Sequence, residues 1–104
     1  MRKIVRENGE LYLLDTAKDL LVFNGRRHQG ARQDRWLELW LHRTEGAAIY
    51  YVAHMTRWPG ETSYLEAVSA EQAADLVGGN IDRLSDEDLR SVERLGLIDL
   101  SALR

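Results

Sequence analysis

His28, His42 and His54 could each supply a general base near neutral pH. A hydrolytic triad also needs an activated nucleophile, yet no serine stands in a G-x-S-x-G elbow and no threonine lies in a recognisable catalytic context. The chain has no cysteine. Disulfides, thiolate metal sites, iron–sulfur clusters and cysteine nucleophiles are therefore excluded, and a reducing compartment is the natural setting. Metal binding would require histidines that converge. If Glu45-Gly46 forms a two-residue turn, His42 and His54 fall on opposite faces of the resulting hairpin and cannot share an ion. Asp86-Glu87-Asp88 could be imagined around a hard cation, but at the start of a helix they serve as partners of its dipole. Gly78-Gly79-Asn80 follows a helix, whereas a phosphate cradle precedes one. The expectation is a non-enzymatic protein with no cofactor and no metal; a small hydrolase using His42 or His54 is the least favoured reading.

Binding chemistry is better represented. Arg26, Arg27, Arg32 and Arg35 place four positive charges against Asp34 within ten residues, next to Trp36 and Trp40. Arginine beside aromatic rings on a sheet is how single-stranded nucleic acid is held, although the same residues also describe a solvated basic loop next to core tryptophans. Trp36, Trp40, Tyr51, Met55 and Trp58 form a second candidate set, of the residue types enriched at protein interfaces. These residues make either a docking surface for a protein partner or a second copy, or a second small core beneath the basic loop.

The elements that position these residues can be read from period and punctuation. At 104 residues, 44% apolar and 30% charged, the composition is that of one globular domain. Asn8-Gly9 joins Lys3–Arg6 to Glu10–Leu14 as a hairpin, and Asp19–Phe23 reads as a third strand ended by Asn24-Gly25. The strongest strand pair is 35–43 with 47–55, rich in aromatic and β-branched residues about Glu45-Gly46. That turn sets Trp40 opposite Tyr51, Leu39 opposite Val52, Leu41 opposite Tyr50 and His42 opposite Ile49. Alternation then gives one face to Leu37, Leu39, Leu41, Tyr50 and Val52, and the other to Trp36, Glu38, Trp40, His42, Ile49, Tyr51, Ala53 and Met55. Both faces are apolar. After the Trp58-Pro59-Gly60 turn, Ser63–Val68 is a further strand. Ser69-Ala70-Glu71-Gln72 and Ser85-Asp86-Glu87-Asp88 then open two short helices, 70–77 and 86–95.

Three stretches, Glu10–Lys18, Leu41–Gly46 and Leu65–Ala73, resemble a kind of small bacterial protein found on plasmids, phages and other mobile elements. The family pattern is an LYDTxTA opening, an LYRTxxG hairpin and a PLSxEEA helix start. The resemblance covers residues 8–77, with Leu13-Leu14 before Asp15, His42 in place of a tyrosine and Gln72 in place of a glutamate. It implies a fold and a genomic setting and carries no catalytic or binding residues.

Net charge is −3, divided as +3 over residues 1–60 and −6 over residues 61–104. No window reaches the roughly 18 apolar residues of a membrane span, so a cytoplasmic protein is expected. The expected architecture is α+β: an antiparallel sheet of four to five strands with both C-terminal helices packed on one face. The expected role is that of an accessory or regulatory protein of a mobile element acting by protein–protein contact, as a homodimer through the aromatic face or with another partner. A nucleic-acid-binding regulator is the alternative.

Overall fold

The computed structural model describes residues 1–26 and 34–102. The chain begins with a tight hairpin of β1 (Arg2–Glu7) and β2 (Glu10–Asp15), closed by Asn8 and Gly9 with φ of 51° and 83°. Two successive positive φ values define the turn that matches strand twist, and Asn-Gly tolerates both. A four-stranded antiparallel sheet follows in the order β3-β4-β5-β6, formed by Leu20–Asn24, Arg35–Arg43, Ala48–Thr56 and Tyr64–Val68. Helices α1 (Ala70–Gly78) and α2 (Asp86–Arg94) complete the α+β fold, with short 3-10 turns at Ile81–Arg83 and Leu100–Ala102.

The central register is the one that the Glu45-Gly46 turn implies: Trp40 stands opposite Tyr51, Leu39 opposite Val52 and His42 opposite Ile49. One face packs on the helices, where Leu39, Leu41 and Val52 meet Ala73, Val77 and Val92. Strand β3 adds both Val22 and Phe23 to this core because a bulge between Leu21 and Phe23 inserts one residue into the alternation. Both helices start with a capping box, as their sequences dictate: Ser69 with Gln72 and Ser85 with Asp88 exchange side-chain and backbone bonds.

The other face is covered by the N-terminal hairpin. Leu14, Ile49, Tyr51, Ala53 and Leu65 form a second buried cluster, flanked by Val5, Tyr12, Trp40 and Met55. The hairpin pairs as its own two-stranded sheet and lies across the larger one rather than extending it. The Lys3 ammonium donates to the Leu65 carbonyl and so ties the hairpin to edge strand β6. The second core thus forms under β1 and β2; most of the basic loop, residues 27–33, lies outside the described residues.

Candidate functional site

Sorting the anticipated binding residues by environment splits them into two groups. Trp40 and Tyr51 belong to the second core. Tyr51 is fully buried, and its ring stacks on Trp40 with centroids 6.4 Å apart. Met55 also flanks that core and faces Trp36 at the open end of the β4–β5 ladder, where Arg35 faces Thr56, and Trp58 lies against Arg35. A groove of about 590 Å³ lies here, lined by Arg35, Trp36, Leu37, His54, Met55, Thr56, Glu61, Thr62 and Tyr64. Leu37 is 36%, Trp58 48% and Tyr64 54% exposed.

Polar groups around the groove are held in place. The Trp36 indole N–H donates to Glu38 at 2.8 Å, and the Trp40 indole donates to the other oxygen of the same carboxylate. The Arg26 guanidinium lies 4.5 Å from the Trp36 ring centre, and that of Arg35 lies 5.6 Å from Trp58. Glu61 accepts from Arg35 Nε and Nη2 as a two-point fork and from the Thr56 hydroxyl. These bonds, the Arg35 fork foremost, hold the Glu61 carboxyl below its usual range and raise the Arg35 guanidinium. Across the floor, His54 stacks on Tyr64 at 4.4 Å and lies 3.0 Å from Glu66. Of the four arginines considered for nucleic acid, Arg35 lines the groove and Arg26 lies against the Trp36 ring. Arg27 and Arg32, like His28, lie outside the described residues.

A second polar constellation was not anticipated from the sequence. The Asp19 side chain, 8% exposed, accepts from the Tyr51 hydroxyl at 2.7 Å and the Asp15 backbone N–H at 2.9 Å, with His42 Nδ1 at 2.8 Å. An ionised carboxylate can only accept, so His42 carries its proton on Nδ1. Burial pushes the Asp19 carboxyl upward, but the Asp15 amide, Tyr51 and His42 outweigh it and its pKa is lowered. Burial and the Asp19 carboxylate raise that of Tyr51, which therefore remains a phenol and a donor at neutral pH. The signal for this cluster lay in the register. It puts His42 and Tyr51 on one face, and Asp15-Thr16-Ala17-Lys18 reads as a tight turn or a single helical turn; what neither gives is that Asp19, at the end of that turn, reaches both.

His42 and His54 sit on opposite faces of the sheet, with separate carboxylate partners. Among the described residues no group of three or more metal-ligating side chains converges, and no helix is long and apolar enough to cross a membrane. Comparisons with protein-family models, curated proteins and solved structures find no match.

Proposed function

We propose that this domain is a non-enzymatic accessory protein of a bacterial mobile element, acting in the cytoplasm by holding a segment of another protein in the open-end groove. The occupant is an extended segment that presents an apolar side chain beside a carboxylate. The observation that carries this reading is a groove lined by exposed Leu37 and Tyr64 together with Arg35, whose guanidinium also meets the exposed ring of Trp58. Apolar floor and the Arg35 guanidinium together suit such a segment, with aromatic side chains and arginine as the anchors. A second copy of the chain is less suited to the aromatic face first considered, because Trp40 and Tyr51 are already covered by β1 and β2.

Nucleic acid is the weaker reading of the same arginines. One face of Trp36 already carries Arg26, and one face of Trp58 carries Arg35, so neither indole is an open stacking platform there. The chain as a whole is also acidic. For catalysis, the Asp19–His42 and Glu66–His54 pairs are separated by the sheet, and Asp19 is engaged in joining the N-terminal hairpin to β4 and β5.

A random-heptapeptide display library panned on the domain tests the proposal. The expected result is enrichment of sequences with Asp or Glu next to Leu, Phe or Trp. A synthetic peptide of the enriched type should bind the wild type and lose affinity for Leu37→Ser and Tyr64→Ser, both at exposed positions. No enrichment, or equal binding by the two variants, overturns the reading. Tighter binding of single- or double-stranded oligonucleotides at low salt would transfer it to nucleic acid.

A further inference from the structure

Arg35 opens strand β4 and projects over the Trp58–Glu61 turn, where the Glu61 N–H returns to the Trp58 carbonyl at 3.2 Å. The guanidinium is met there by Glu61 through two parallel bonds, the arrangement that arginine offers to any carboxylate. The Thr56 hydroxyl donates to the same carboxylate, and Thr56 in turn accepts from the Trp58 N–H at 3.1 Å. Glu61 also lines the groove. The site therefore already contains a carboxylate seated on its cation.

Two features make that carboxylate replaceable. The side chains of Arg35 and Glu61 are 63% and 40% exposed, so water competes for both and the pair contributes little to stability. The Glu61 carboxylate is bonded at the surface to Arg35 and Thr56, and both bonds can be exchanged for bonds to water or to an incoming carboxylate.

We propose, building on the docking function above, that Glu61 is an internal competitor of the partner: the partner's carboxylate takes its place on Arg35. The contact is autoinhibitory. It keeps the arginine fork oriented by Thr56 and Trp58 while the groove is empty, and it weakens binding of any segment that lacks a carboxylate to exchange for it. Such a segment gains the apolar floor but leaves the fork closed.

The test compares wild type, Glu61→Gln and Arg35→Gln in titrations with a synthetic acidic-apolar peptide enriched by panning, and with its Glu→Gln counterpart. Removing the competitor should tighten binding of the acidic peptide by about two- to five-fold, the range expected for an exposed pair. Arg35→Gln should abolish the preference for the acidic peptide over its amide counterpart. Equal or weaker binding by Glu61→Gln, with an unchanged melting temperature, overturns the competitor role while leaving groove docking in place. Failure of every peptide to bind wild type and both variants overturns docking and competition together.

Discussion

Tyr51→Phe isolates the polar bond that fastens the N-terminal hairpin over the second core. The substitution keeps the ring stacked on Trp40 and removes only the hydroxyl that donates to Asp19 at 2.7 Å. Asp19 then retains the Asp15 amide and His42 as partners and loses one of its three donors. A hydrogen bond to a charged group contributes about 1.5–3 kcal/mol. For a domain of this size that corresponds to a fall in melting temperature of roughly 6–24 °C, at about 4–8 °C per kcal/mol. The pH dependence discriminates this account from a simple packing defect. Asp19 has a folded pKa below its ordinary value, so its contribution is present above the unfolded carboxylate pKa, near 4, and is lost as pH falls through the folded value. Removing Tyr51's hydroxyl takes away one of the groups that lowers it. The deficit of Tyr51→Phe should thus be largest at neutral pH and shrink by about half once Asp19 is protonated, since charge-assisted bonds are about twice as strong as neutral ones. Chemical denaturation from pH 7 down to pH 3 measures it. A variant as stable as wild type at pH 7, or a deficit that does not change with pH, would refute the reasoning.

Other substitutions probe the scaffold on either side of the groove. Gly25→Ala should destabilise the domain by about 1–3 kcal/mol, because the new methyl would stand 2.7 Å from the Leu37 backbone oxygen, to which the Gly25 N–H already donates; urea unfolding reads the loss. Leu14→Ala, at a fully buried position under the hairpin, should cost about 2–5 kcal/mol. Hydrogen exchange should then show the amides of β1 and β2 opening well before those of β4 and β5; uniform acceleration across both sheets would show that the hairpin is not a separable layer.

How much of this was legible in the sequence follows from the range over which each signal acts. Local signals reported faithfully: Asn8-Gly9 and Glu45-Gly46 fixed two hairpins and their registers, and Ser69 and Ser85 marked both helix starts, because turns and caps are decided within four residues. Parity along β4 and β5 then correctly sorted Leu39, Leu41 and Val52 from Trp40, Tyr51 and Ala53. What parity could not say is which distant segment lies on each face, since apolar burial is non-directional. The Asp19 cluster escaped for a related reason. Its members come from β2, β4 and β5 and from the Asp15–Asp19 turn; a turn at residues 15–18 is legible locally, in the Asp15 carboxylate that accepts from the Ala17 N–H, whereas its placement against His42 and Tyr51 is a long-range event.

The same reasoning explains why the groove and the buried cluster differ in kind. The covers on the two faces of the nine-residue strands β4 and β5 leave one end of the ladder projecting into water at Leu37, with Tyr64 beside it. At the covered end, a polar side chain must be fully partnered, which is why Asp19 collects three donors. At the projecting end, Leu37 and Tyr64 remain in contact with water, and Arg35 keeps a partner that it can exchange. Extending the cover over that end would bury Leu37 and Tyr64 and would also close a stretch where aromatic rings and an accessible guanidinium lie side by side. Exposed Leu37, Trp58 and Tyr64 thus lie where Arg35 is, and a segment able to satisfy both at once is the one that the proposed groove selects.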